Sequence, residues 1–291
     1  MKRPKIGLVL GGGGSRGMAH IGVLKVLIRE QIPIDLIVGT SMGAIVGVLY
    51  ALGYAPTEIA EGLTAVQSNF LLNILGARTR QRKIREQLTP MLDGKTFADL
   101  SIPVTMMAVD MVHGHEVTLS KGPLLPAVLA SSAVPGAFPP VKLDGMELAD
   151  GGVIDSLATH AAYDQGAERI IAVDVYPALD KEDPWTDPLS AIMGFQLPVN
   201  IFSTSGDGVD RIPTAPAAMW RAVRVITWYL HEQRLAAHPA HVLLRPNVGN
   251  YGSLDFKDLD GPLTAGMAEA EDHLSALKAL VHHLELGLGS G

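Results

Sequence analysis

The residue types and spacing best suited to chemistry lie in Gly39-Thr40-Ser41-Met42-Gly43. This stretch follows an apolar run ending at Val38 and precedes a run of small and apolar residues from Ala44. A serine between a strand and a helix, flanked by glycines, fits a nucleophile elbow. Gly39 and Gly43 let the chain turn sharply and keep side chains away from the hydroxyl. At a helix start, the dipole favours the negative charge that develops in acyl transfer. The same serine also fits a plain helix cap, so its reading depends on what accompanies it.

The first companion is Gly11-Gly12-Gly13-Gly14-Ser15-Arg16-Gly17, between an apolar run and a helical pattern. Such a loop presents backbone N–H groups to a phosphate or an oxyanion. Gly12, Gly14 and Gly17 satisfy G-x-G-x-x-G, but a dinucleotide site wants an acid at the end of the next strand. Asp35 sits at the start of that strand, and no Gly-Lys-Ser/Thr follows as a P-loop requires. The oxyanion reading pairs this loop with the serine loop, both at carboxyl ends of neighbouring strands. Arg16 would hold the loop, attract an anionic head group, or make a surface salt bridge. The second companion is Asp150-Gly151-Gly152, which alone reads as an ordinary turn. Beside a serine nucleophile it offers the base.

Taken together, these motifs resemble the patatin-like phospholipase family, in particular its small bacterial members related to the catalytic domain of neuropathy target esterase. The resemblance is carried by residues 8–17 (LVLGGGGSRG), 19–24 (AHIGVL), 38–45 (VGTSMGAI), 130–141 (ASSAVPGAFPPV) and 149–153 (ADGGV), and more weakly by 170–174 and 241–246. It implies a Ser–Asp dyad. Ser41 would attack an ester carbonyl, and Asp150 would take the serine proton and later activate the deacylating water. N–H groups of Gly12, Gly13 and Gly14, with that of Met42, would form the oxyanion hole. The implied substrates are lipid acyl esters, and no cofactor is implied. Two positions depart from the family's DGG-x-x-N-x-x-P pattern: Asp155 and Ala158 stand where Asn and Pro are usual. A carboxylate at Asp155 would raise the Asp150 pKa if the two were close. Met42 replaces a commoner Ala, and would line the acyl pocket or simply pack.

Other candidates carry less. In the order Ser…Asp…His, His241 occupies the late position of a hydrolase triad, but it opens a strand rather than following one. His113, His115, His282 and His283 read as surface histidines. Arg78, Arg80, Arg82, Lys83 and Arg85 form a basic stretch that would touch anionic lipid or begin a solvated helix. Trp220, Trp228 and Tyr229 read as core packing, with a lipid-facing edge as the alternative. No acidic calcium loop or other metal motif appears.

The elements that must position these residues follow from periodicity. Short apolar runs at 6–10, 34–38, 104–109, 170–175 and 241–244 predict buried parallel strands, and 116–119 an added strand or hairpin arm. Helical patterns fall at 18–29, 44–52, 123–131, 219–235 and 265–284. Alternating strands and helices predict a three-layer α/β/α sandwich with a mainly parallel central sheet. We read one domain over 1–291 with a core at about 5–275. Residues 177–198 read as an irregular loop or lid, 203–216 as a polar connection, and 287–291 as a frayed end. Hydrophobic residues make up 47% of the 291, enough to form a large core. The net charge of −7 argues against nucleic acid as a partner. Cysteine is absent, which excludes a catalytic thiol, disulfides and Cys-ligated zinc. The N-terminal apolar run is too short for a secretion signal, and no stretch is long enough to span a membrane. The expected compartment is the cytoplasm, with membrane-surface contact left open. An acyltransferase, a histidine triad enzyme and a lipid-binding module with a degenerate site are the rival readings.

Overall fold

The computed structural model describes residues 3–64, 76–179, 215–252 and 258–281. The expected loop at 177–198 lies outside these residues from 180 on, as do 203–214, His282, His283 and the 287–291 tail.

Five strands run parallel in the spatial order β8 (Val242–Leu244), β7 (Arg169–Val173), β1 (Ile6–Leu10), β2 (Leu36–Thr40) and β3 (Val104–Asp110). Antiparallel β4 (His115–Leu119) pairs on the far edge of β3, and antiparallel β6 (Met146–Asp150), itself paired with β5 (Val141–Leu143), joins the carboxyl end of β3. Every residue of β1, β2 and β3 is buried, as expected when helices cover both faces. The alternation of side chains along β1 shows the two layers. Ile6, Leu8 and Leu10 join a core with α1 (Met18–Arg29), α2 (Met42–Ala51), α5 (Leu124–Ser131) and α8 (Asp260–Asp272). Val9 joins a second core with α6 (Thr159–Asp164) and Leu235 of α7 (Ala215–Ala237). The predicted α/β/α sandwich is therefore present.

Several elements differ from the sequence expectation. β2 begins at Leu36 rather than 34 and runs on through Gly39 and Thr40. The helix α3 (Pro56–Thr64) was not anticipated, whereas the basic stretch does begin a helix, α4 (Ala77–Leu92), one of its two readings. The β5–β6 hairpin was not anticipated. Its turn, Asp144-Gly145, has positive φ at both residues, 50° and 81°, the geometry for which Asp-Gly is favoured in two-residue hairpin loops. The single C-terminal helix expected over 265–284 is instead α8 and α9 (Leu274–Ala279), broken at His273. α8 also starts five residues early. Pro262 sits in its first turn, where no N–H is needed, and Asp258 Oδ1 accepts from the Gly261 N–H at 2.9 Å.

α8 packs across α1 with two glycines at the crossing. A Cβ on Gly22 would collide with the Leu263 carbonyl oxygen, and one on Gly266 with that of Ala19. The helix backbones thus approach more closely than any side chain would allow.

Candidate active site

The site lies at the carboxyl end of the parallel strands, where the loops after β1, β2 and β7 converge. Ser41 is the single residue between β2 and α2. Its backbone sits at φ 55°, ψ −120°, a conformation that costs on the order of 1–3 kcal/mol for a non-glycine residue. The surroundings enforce it. A Cβ on Gly43 would strike the Leu10 carbonyl, and one on Gly39 would lie 2.6 Å from Ala44 Cα. The elbow glycines are therefore demanded by contact. The Ser41 N–H donates to Ser131 Oγ at 3.1 Å, and that hydroxyl donates to the Met107 carbonyl at 2.7 Å. Ser131 thereby ties the end of α5 and the middle of β3 to the elbow.

Asp150 reaches the same place by strand register. β4 pairs along one edge of β3, from Met106 to Asp110. The other edge is shared end to end. β2 pairs Thr40 with Met107, and β6 pairs Asp150 with the next residue, Ala108. Ser41, one residue past Thr40, therefore meets Asp150 head-on. Both are nearly buried, at 7% and 5% exposure. Burial pushes the Asp150 carboxyl up to about 6, against the stabilising effects of the Ser41 hydroxyl and the Gly152 N–H. Oδ1 accepts from Gly152 N–H at 2.8 Å, whereas Oδ2 lacks a hydrogen bond of full geometry. The serine contact is thus a loose one, as is common before substrate tightens a site. Gly151 packs against Met107, which a Cβ would approach to 2.8 Å.

The glycine loop is held from three sides. Gly11 N–H donates to Val173 O at 3.1 Å, and His20 Nε2 donates to Gly11 O at 2.8 Å. Burial lowers the His20 pKa to about 4, so the ring is neutral. Gly12 N–H donates to Ser156 O at 2.9 Å, and Ser156 Oγ returns a bond to Gly12 O at 3.1 Å. This corrects the expectation for Gly12, whose N–H is already engaged. Among the described residues, no acceptor faces the N–H groups of Gly13, Gly14 or Met42. Gly14 has φ 59°, and Gly13 abuts Val175. Met42 packs on Gly17, where a Cβ would run into its side chain. Arg16 is buried, so the surface salt-bridge reading fails. Burial, then the nearby Arg224 guanidinium, lowers its pKa to about 10.

The remaining candidates separate from this cluster. His241 precedes β8, at the amino end of the parallel strands, and its Nδ1 accepts from Ile170 N–H at 3.1 Å. It lies a strand length from Ser41 and cannot complete a triad. His113 pairs with Asp110 at 2.7 Å. Asp155 does not face Asp150 in the way that would raise its pKa. It is taken up by Arg234 at 3.2 Å and His160 at 3.3 Å, and burial alone accounts for the raised Asp150 pKa. Trp220 and Trp228 are half-buried and Tyr229 is 57% exposed, so the core-packing expectation for these three does not hold. Ser131, Ser156 and His20 were not singled out from sequence. His20 and Ser131 lie inside the stretches that carry the resemblance, and their small or polar character at buried helical positions was the available signal.

The fold is thus an α/β scaffold whose mainly parallel sheet carries a strained serine elbow beside a buried aspartate. Residues 8–163 match the model of the family described as Patatin-like phospholipase. The chain belongs to that family. It is 30% identical over 282 residues to lysophospholipase NTE1 of Candida albicans, covering 92% of this chain and 20% of that protein. It is 35% identical over 190 residues to an NTE family protein of Mycobacterium tuberculosis, covering 62% of this chain and 52% of that one. The chain thus spans about half the length of the mycobacterial relative and a fifth of the fungal one. Among solved structures, VipD from Legionella pneumophila aligns at TM-score 0.41 and 13% identity over 82% of this chain and 67% of that one. No helix among the described residues is long and apolar enough to cross a membrane.

Proposed function

We propose that the chain is a lipid acyl hydrolase that cleaves carboxylic esters through Ser41 and Asp150. The observation that carries this reading is the meeting of the two residues on one edge of β3, one of them strained and the other buried with a raised pKa. The lysophospholipases among its relatives support a lipid ester as substrate.

In this reading, the Ser41 hydroxyl adds to the ester carbonyl as its proton passes to Asp150. The oxyanion is held by the N–H groups of Gly13, Gly14 and Met42, a donor typically being worth about 3 kcal/mol. Collapse of the tetrahedral species expels the alcohol, which takes the proton back from Asp150 and leaves the acyl group on Ser41. Asp150 then draws a proton from water, whose oxygen attacks the acyl-enzyme; collapse breaks the Ser41 Oγ–acyl bond, Asp150 returns the proton to Oγ, and the acid is released. A carboxylate with a pKa of about 6 is ionised at neutral pH and is a stronger base than an ordinary one. Along α7, Met219, Val223, Ile226 and Tyr229 are exposed, a face suited to peripheral contact with lipid aggregates.

Fluorophosphonate labelling with intact mass and peptide mapping tests the mechanism. A single adduct on Ser41, lost in Ser41→Ala and slowed in Asp150→Asn, is expected. Esterase turnover that survives Ser41→Ala would overturn it.

A further inference from the structure

Five residues after Asp150, the chain places a carboxylate where solvent hardly reaches: Asp155 is 2% exposed. Its Oδ2 receives Arg234 Nη1 from α7 at 3.2 Å and His160 Nδ1 from α6 at 3.3 Å, and its Oδ1 accepts from Leu157 N–H at 2.9 Å. Glu116 of β4 completes the group, 2.9 Å from Arg234 Nη1 and 3.7 Å from His160 Nε2. The His238 ring packs against that of His160. Glu116, Asp155 and His160 converge closely enough to suit a cation. Arg234 already stands between the two carboxylates and supplies the positive charge.

This network closes the turn that links the reaction's parts. Asp155 N–H donates to Gly151 O at 2.9 Å. The next residue, Ser156, makes the reciprocal bonds with Gly12 described above. A shift of Asp155 would therefore move both the base and the glycine loop. Burial pushes the Asp155 pKa up, but His160, the Leu157 N–H and Arg234 outweigh it, and the group is held ionised. A buried carboxylate that loses its partner either draws a proton or moves toward water.

We propose that Arg234 is a positioning residue for the reaction: by neutralising Asp155 across 79 residues of sequence, it holds the turn carrying Asp150 and bracing Gly12. The inference rests on the Ser41–Asp150 reading. Removing Arg234 leaves His160 as the remaining cation of the network. Asp155, then burial against it, sets a His160 pKa that is raised overall. The protonated ring substitutes for Arg234 at low pH and fails to do so once it loses its proton.

The test measures kcat and KM on a soluble ester against pH for the wild type, Arg234→Met, Arg234→Lys, Asp155→Asn and the double variant Asp155→Asn/Arg234→Met, with melting curves. Arg234→Met is expected to lose kcat by about tenfold at neutral pH with little change in KM. The deficit relative to wild type should deepen as pH rises through the raised His160 titration. Arg234→Lys and the double variant should recover most of the loss. If Arg234→Met does not fold, the double variant still decides: an active, folded double variant supports the proposal, and a folded inactive one overturns it. Wild-type kcat in Arg234→Met at all pH values, or a pH-independent loss that Asp155→Asn does not relieve, also overturns it. Ser41→Ala and Asp150→Asn run alongside. Full activity in those two would remove the dyad reading itself, a result distinct from either failure of Arg234.

Discussion

Ser41 and Asp150 act on one another through opposite kinds of cost. Ser41 is held in backbone strain, and Asp150 in a setting that disfavours its charge. If Asp150 is the base, kcat/KM on a neutral ester rises with pH through about 6, and a pH–rate profile checks this. The same shift affects folding. The folded carboxyl binds its proton more tightly than an unfolded one at about 3.9, so its contribution to stability is present at low pH and lost as pH rises through about 6. Asp150→Asn should therefore abolish turnover while stabilising the fold at pH 8 by roughly 3 kcal/mol. Urea denaturation should show that gain shrinking toward pH 4. Ser41 and Asp150 were each legible as candidates from a short local motif, Gly-x-Ser-x-Gly and Asp-Gly-Gly, but 109 residues separate them and only the family resemblance proposed them as a pair. Arg234 was not, because nothing in an exposed-looking helical pattern announces a partner 79 residues away.

At the scale of elements, the elbow depends on a helix that never touches substrate in the proposed reaction. The end of α5 lends Ser131 to bridge Ser41 N–H and Met107 O. Ser131→Ala would leave two buried backbone groups unpaired, at about 1–3 kcal/mol each. We expect a lower melting temperature and a fall in kcat of about tenfold or more, with KM nearly unchanged. Stopped-flow acylation with an activated ester separates that effect from substrate binding. β1 and α1 were read to the residue from apolar periodicity and the glycines that follow. The β5–β6 hairpin was missed because its strands are short and half-buried, so the alternation is faint. The Asp-Gly turn was the overlooked signal. The C-terminal helix was started too late because the apolar spacing begins only at Ala265, whereas Pro262 is compatible with a helix's first turn.

For the whole molecule, the alternation of strands and helices made the parallel sheet and its two covered faces legible. The joining of the chain's two ends was not. α8 reaches back onto α1 through Gly22 and Gly266, and a glycine inside a helical pattern gives no hint of which backbone will lie against it. Gly266→Ala should force the helices apart and cost about 3 kcal/mol, read as a drop of several degrees in melting temperature. The clash falls on Ala19, beside the His20 that holds Gly11 O, so kcat per folded molecule should fall as well while the Asp150 turn keeps its place. The shared edge of β3 was also invisible in the sequence, since only register shows that β2 and β6 meet end to end. That arrangement makes β3 a ruler. The gap between nucleophile and base is one residue step along a third strand, fixed by main-chain bonds that every amino acid except proline can make. Side chains on β3 are thus free to drift with the surrounding core while the spacing of the pair stays constant.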